Sequence, residues 1–221
     1  MHQPRGGRPR VDSNRGYIAE TNSYYEDHLP WPEYNPEKAR QLLADAGYPG
    51  GQGLPTLELI WSRSWDYQAK TVQVLQEGLS QIGINLEIYP LNFASMLAKN
   101  SNAESGAHLS FITSAPTADA IPDQLMSYMM KTGGNYNWSW FSSTSQGAMV
   151  DYLIAEAMFA MDEAERLVLY RQLQQIASNN YIALWPFKIT DMDAIRASVQ
   201  GYVVVPGYAK FVPVYYMWKD G

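Results

Sequence analysis

The chain has no cysteine. Disulfide frameworks, thiolate zinc sites, iron–sulfur clusters and a cysteine nucleophile are thereby excluded. Histidine is scarce as well. His2, His28 and His108 show no ligand spacing such as H-E-x-x-H, and each reads as a structural or surface residue. No apolar run reaches the ~18 residues that a membrane-spanning helix needs, so the chain is not expected to span a membrane itself. Positive charge is in the minority. Lys and Arg number 16 against 22 Asp and Glu, a net charge of −6, which argues against nucleic acid as a main partner. There is no G-x-S-x-G elbow and no P-loop. Gly50-Gly51-Gln52-Gly53 lacks the Lys-Ser/Thr that follows in a phosphate cradle. Internal repeats and low-complexity tracts are missing too. Nothing in the motifs calls for a cofactor, and enzyme activity is not expected.

What is present is ordinary in hydrophobic content, 46% of 221 residues, enough for one large domain or two small ones. Aromatics are abundant, with 7 Trp, 16 Tyr and 6 Phe. Such rings serve a core or a binding surface equally well, so their placement matters more than their number. Charge is uneven along the chain. Arg5, Arg8, Arg10 and Arg15 stand against Asp12 near the start, while the remainder carries the acidic excess. No apolar stretch of a signal peptide follows these arginines, and residues 1–33 are expected to form an arm or linker.

Element signals begin at Asn35. Asn35 caps, Pro36 opens and Gly47 closes a helix whose Ala39, Leu42, Leu43 and Ala46 form one apolar stripe. Leu57 to Trp61 reads as a strand. A helix follows from about Asp66 to Ile82, with Tyr67, Thr71, Val74, Leu75, Gly78, Leu79 and Ile82 on one face, and Ile84 to Tyr89 alternates as a second strand. Strand, helix, strand makes a right-handed βαβ unit with parallel strands. Asn92 to Lys99 is a short helix and Leu109 to Thr113 a third strand. Pro122 to Lys131 holds a short helix with Leu125, Met126, Met129 and Met130 inward. Thr132 to Ser142 is a loop rich in rings. Helices return over Gly147 to Ala160 and again after Asp162, where Asp162 and Glu165 are spaced as a capping box. Ile182 to Ile189 is extended but carries Pro186, and Val203 to Val205 and Phe211 to Trp218 are strand-like.

Five segments carry a family resemblance. Tyr34-Asn35-Pro36-Glu37-Lys38-Ala39, with Leu42-Leu43 and Ala46-Gly47-Tyr48-Pro49, resembles a signature of bacterial extracellular solute-binding proteins of the peptide/nickel type, which feed ABC importers. Val74 to Leu79 through Ile82-Gly83-Ile84-Asn85-Leu86-Glu87-Ile88 looks like a second family segment. Thr117-Ala118-Asp119 with Pro122-Asp123-Gln124-Leu125 looks like a third, Asn137-Trp138 like part of a fourth, and Asp162 to Tyr170 like a fifth. Five matches in the family's order are far more specific than any one. Two departures stand out: Ala115-Pro116 replaces an aromatic common before the Ala-Asp pair, and Ile121-Pro122-Asp123 breaks the usual Asp-Pro pair.

The resemblance implies an α/β fold, a periplasmic-binding-protein-like lobe with a mixed sheet and flanking helices around the βαβ unit. Residues 34–190 are expected to form this C-terminal lobe, and residues 191–221 to return to a first lobe that lies, with the signal peptide, outside this chain. The implied function is reversible binding of a peptide between two lobes for delivery to a membrane permease, in the periplasm or tethered outside the cell. Asp119 is implied to pair with the ligand's ammonium, a charge-assisted bond of about 1.5–3 kcal/mol. The residues themselves add candidates. Tyr136, Trp138 and Trp140, with Phe141 beside them, put flat rings on a polar loop. Trp61, Arg63 and Trp65 follow a strand's C-terminal end, where ligands gather on open sheets, and Arg63 suits a carboxylate. Asp123 reads as a first-turn helix carboxylate. Asp191 and Asp193 are too few oxygens for a calcium site, so no metal is expected. Oligosaccharide is the alternative ligand, given the Trp-rich loop. A carboxylate-based hydrolase and an aromatic partner-binding module are the alternatives in other classes.

Overall fold

The computed structural model describes residues 16–20, 22–30, 32–104, 107–113, 122–187, 194–203 and 214–220. They divide into two compact units, one formed by residues 32–114 and the other by residues 1–31 with 115–221. The segment 34–190, expected as one lobe, therefore contributes to both.

The first unit opens with helix α1 (Pro36–Asp45), where the Asn35 side chain accepts from the Lys38 amide at 2.9 Å. Its apolar stripe is only partly used: Ala39 and Leu43 are half-buried, and Leu42 is exposed. Strand β1 (Leu57–Ser62), helix α2 (Asp66–Ser80) and strand β2 (Leu86–Leu91) form the expected βαβ unit. The strands are parallel, with Leu57 opposite Leu86 and Ser62 opposite Leu91. Helix α3 (Phe93–Asn100) starts at Asn92, whose side chain accepts from the Ser95 amide, and leads to strand β3 (Leu109–Phe111). The strand order is β2-β1-β3, and β3 is also parallel to β1. Alternation along β1 feeds both faces. Leu57, Leu59 and Trp61 pack with Val72, Leu75 and Leu79 of α2 and with Leu86 and Ile88 of β2. Ile60 and Ser62 point to the other side, where α3 packs on β1 and Met96 is fully buried.

The inward face of α2 is rotated from the expected one. Gln68 and Val72 are buried and Leu75 and Leu79 half-buried, a 4-3-4 spacing, while Val74 is exposed. Val74 lies one residue from Leu75, about 100° around the helix, so both cannot face the sheet. Asn100 donates to Ser110 Oγ at 2.8 Å, and the Glu58 amide donates to His108 Nδ1 at 3.0 Å, so side chains complete the pairing around β3.

The second unit is helical. Helix α4 (Asp123–Met129) precedes the ring-rich loop, and helices α5 (Gly147–Phe159) and α6 (Glu163–Asn179) pack on each other. Val150, Leu153, Ile154 and Ala157 line α5 at 3-4-7 spacing, and Tyr170, Leu173, Gln174 and Ala177 line α6 in the same way. Met126 and Met130 are fully buried against them. Asp162 caps α6 through the Ala164 amide, two residues on, rather than the third-residue amide of a capping box. Residues 182–187 form no strand, consistent with Pro186, and the only pairing described in the C-terminal stretch joins strand β4 (Val199–Gln200) antiparallel to strand β5 (Trp218–Lys219).

Residues 16–30, placed by sequence in the arm, are part of this core. Tyr17, Ile18, Tyr24 and Leu29 are buried, and Tyr24 meets Tyr170 edge-on at 5.2 Å. Burial pushes the Tyr17 hydroxyl well above its ordinary pKa. Gln174 ties the segment to α6: its Nε2 donates to the carbonyls of Tyr24 (2.9 Å) and Tyr170 (3.1 Å), and its Oε1 accepts from the Glu26 amide (3.2 Å).

Two outcomes test this fold. Gly83 has φ +90°, and a Cβ there would lie 2.2 Å from the Gly50 carbonyl oxygen. Gly83→Ala is expected to cost about 2–5 kcal/mol through strain and overpacking, read as a lower urea midpoint; an unchanged midpoint contradicts the packing. Gln174→Leu leaves the Tyr24 carbonyl and Glu26 amide without their partner, at about 1–3 kcal/mol. Its thermal midpoint should fall by about 2–4 °C for each kcal/mol lost.

Candidate functional site

Two candidate regions emerge, one in each unit. The first is the C-terminal edge of the parallel sheet. Successive crossovers place β2 and β3 on opposite sides of β1, so the topological switch lies between β1 and β3, the position at which open α/β sheets bind ligands. Arg63 is exposed there. Its backbone amide donates to the Leu91 carbonyl at 2.9 Å and its guanidinium to the Pro90 carbonyl at 3.3 Å, which leaves further donors on the fork. Trp65 is half-buried and meets Phe93 edge-on at 5.5 Å. Trp61 is a core residue: only 8% of it is exposed, it packs with Leu59, Val72 and Leu86, and its indole N–H is buried without an acceptor. Trp61 shares the inward face with Leu57 and Leu59, whereas Arg63, two residues on, lies beyond the strand's end.

The first turn of α2 grips the end of the neighbouring strand. The Tyr67 hydroxyl and Gln68 Nε2 both bond Thr113 Oγ1, the latter at 3.0 Å. From Thr113 the chain passes to residues 114–121. Asp119 falls on this stretch and lies outside the described residues, as do Asp191 and Asp193.

The second region is the loop between α4 and α5. Tyr128, Tyr136 and Trp138 form a row of edge-to-face contacts, with centroids 6.2 and 5.2 Å apart. Tyr136 and Trp140 are exposed, Trp138 is half-buried with its indole N–H lacking a partner, and Phe141 is buried in the core. Asn137 organises this loop and was not singled out by sequence for that task. Its Nδ2 donates to the carbonyls of Met130 (3.2 Å) and Lys131 (2.9 Å) and to Ser142 Oγ (3.0 Å), and its Oδ1 accepts from Ser139 Oγ (3.2 Å). Tyr128 was missed because its partner in the row is eight residues away. The available signal for Asn137 was an amide within a run of rings.

Among the described residues, other polar groups do not build a site. Glu26, Asp27 and His28 bring ligand atoms within 4.8 Å of one another. However, Glu26 Oε2 is paired with Arg171 at 3.0 Å and Oε1 accepts from the His28 amide at 3.1 Å. A polar groove of about 490 Å³ lies between α2 and the start of β2, lined by Gln73, Gln76, Glu77 and Glu87, at the end of β2 away from Arg63. Among the described residues, no helix is long and apolar enough to cross a membrane.

Asp123 opens α4. Burial raises its carboxyl above the ordinary carboxylate range, and the Arg166 charge partly offsets this. Arg166 itself is raised, chiefly by its bond with Tyr24, and it donates to the Ala160 carbonyl at 2.5 Å. A carboxyl with a raised folded pKa stabilises fully below its unfolded value, and that contribution is lost as pH climbs through the folded value. Asp123→Asn should therefore raise the thermal midpoint at pH 7 and leave it unchanged at pH 3. A lower midpoint at pH 7 contradicts this.

Comparison with known proteins adds to this geometry. The family described as bacterial extracellular solute-binding proteins, family 5 (middle), matches residues 10–138, more than half of the chain. The glutathione-binding protein GsiB of Escherichia coli (strain K12) is 30% identical over 171 residues, which are 73% of this chain and 31% of the relative. That of Pectobacterium atrosepticum is 28% identical over 200 residues, 86% of this chain and 37% of the relative. The chain thus spans about a third of the length of the curated relatives it matches. The oligopeptide-binding protein AppA of Bacillus subtilis, solved with a nonapeptide, superposes with a TM-score of 0.76 at 18% identity, covering 96% of this chain and 43% of that one. The likeness bears out the α/β fold class with flanking helices; the sheet around the βαβ unit, expected to be mixed, is parallel in its described strands. This chain belongs to family 5 of the bacterial extracellular solute-binding proteins.

Proposed function

We propose that the chain forms one lobe of a receptor that grips a peptide reversibly and hands it to an ABC permease, outside the cytoplasmic membrane. The observation that carries this reading is the family match over residues 10–138, which takes in Arg63, Asp119, Tyr136 and Trp138 together. Two further facts support the ligand class. The curated relatives are named for glutathione, a small peptide, and AppA of Bacillus subtilis was solved with a nonapeptide.

The residues divide the work by chemistry. Asp119 receives the peptide ammonium. Arg63, at the sheet edge, offers its open guanidinium donors to a carboxylate. Tyr136, Trp138 and Trp140 supply area for side chains with little entropy to lose. Trp61 supports the edge from within the core instead of touching ligand. Residues 191–221 return to the first lobe of the whole receptor. The family's members bind solutes, and no chemistry on the ligand is proposed. The oligosaccharide reading draws on the same exposed rings, Tyr136 and Trp140, but gives Asp119 and Arg63 no charged partner.

Titration of the ¹⁵N-labelled chain with glutathione, Ala-Ala-Ala and maltotriose, followed on the tryptophan indole signals, separates these readings. Weak binding of the peptides is expected, because the proposed cleft is shared with a second lobe. A response to maltotriose alone moves the assignment to sugars, and cleavage of either peptide moves it to a hydrolase. Asp119→Ala should weaken Ala-Ala-Ala by about thirtyfold or more, from 2–5 kcal/mol for a broken charge pair. It should leave N-acetyl-Ala-Ala-Ala unchanged, and equal losses remove Asp119 from the role.

A further inference from the structure

Resting on the peptide reading above, we propose that Asn137 is a positioning residue that holds Trp140 outward as a stacking face for an aromatic side chain of the bound peptide. The starting observation is backbone strain. Trp140 has φ 53° and ψ 19°, in the left-handed region. Among the described residues the one other non-glycine with positive φ is Tyr181, at 51°. Tyr181 has a local explanation: it follows the end of α6, where a left-handed residue lets the Ile182 amide reach back to the Ala177 carbonyl at 3.2 Å. Trp140 ends no helix. It precedes a single 3-10 turn over Phe141–Ser143.

Three local preferences oppose a tryptophan at this point. The backbone favours glycine, the exposure favours a polar side chain, and a loop tip favours a small one. The largest side chain stands there nonetheless, 40% exposed. A local choice that conflicts with its surroundings on several counts marks a functional position, provided the surroundings enforce the conformation. Here they do. Ser139, on one side of Trp140, donates to Asn137 Oδ1 and accepts from the Phe141 amide at 3.4 Å. Ser142, on the other side, accepts from Asn137 Nδ2. The Ser143 amide closes the turn on the Trp140 carbonyl at 2.9 Å. Phe141 is sunk in the core, so the chain must turn its neighbour's ring away. Asn137 joins both flanks of Trp140 to the end of α4 through the Met130 and Lys131 carbonyls. The ring is thus held ready before any ligand arrives, which lowers the ordering cost of binding.

The test is the preference of the full chain for Ala-Phe-Ala over Ala-Ala-Ala, read by indole titration. An aromatic contact predicts a preference of about three- to tenfold. Trp140→Phe should keep it, and Trp140→Gly should reduce it below about twofold. Because glycine relieves the left-handed backbone, Trp140→Gly should lower the thermal midpoint by no more than about 3 °C, whereas loss of a packed core ring costs several times that. Asn137→Ala should also erase the preference, beyond whatever it does to the midpoint. A preference that survives Trp140→Gly, a larger fall in its midpoint, or an Asn137→Ala chain that weakens both peptides equally overturns the proposal. Binding of both peptides by the parent chain without preference ends this inference alone. If neither peptide perturbs an indole, the peptide reading fails and takes this inference with it.

Discussion

A backbone carbonyl or amide removed from water must find a partner inside the protein, and in helices and strands the ladder supplies it. Many of the described residues lie in neither helix nor strand. The segment 16–30 and the loop between α4 and α5 run as coil against a core and have no ladder. Their partners are side-chain amides. Gln174 receives the first segment and Asn137 the second, while Gln68 and Asn100 pin the end and middle of β3 and its continuation. All four amides are buried. Each can donate and accept at once, which suits it to bridge coil to helix where a hydroxyl offers too few contacts.

This constraint explains where the candidate binding groups sit. Under the proposed function, binding side chains must be placed in advance but not locked in a core. Coil segments pinned by buried amides meet both demands. Tyr136 and Trp140 stay open to solvent because Asn137 and Phe141 carry the burden of holding the loop. At the sheet edge, Arg63 lies past the end of β1 and is exposed while Trp61 packs in the core, and Tyr67 and Gln68 hold Thr113 where the chain leaves β3.

Much of the fold was legible in the residues. Asn35-Pro36 and Asn92 announced helix starts through capping chemistry, and the alternation around Leu59 and Leu86 announced parallel strands. The inward methionines Met126 and Met130 followed from helical spacing. What escaped was decided by tertiary contact. Val74 and Leu75 are equally apolar, and only the position of β1 and β2 selects Leu75. Gln174 and Asn137 look like surface residues by type, and their partners lie 150 and seven residues away in the chain. Residues 16–30 read as an arm because Tyr17, Tyr24 and Leu29 show no periodicity, and their docking place exists only once α6 has formed. For the site, the rings were visible as a group, but which of Trp138, Trp140 and Phe141 faces outward depended on one left-handed residue.

The division into units bears on biosynthesis. Residues 32–114 interrupt the sequence of the other unit, whose members flank them on both sides. A ribosome therefore releases the βαβ unit whole while Tyr17, Ile18 and Tyr24 still await α5 and α6. Those three side chains remain without their core partners through the synthesis of more than a hundred further residues. The emerging chain thus offers holding factors an early sticky segment, and the order of assembly runs from the middle of the polypeptide outward.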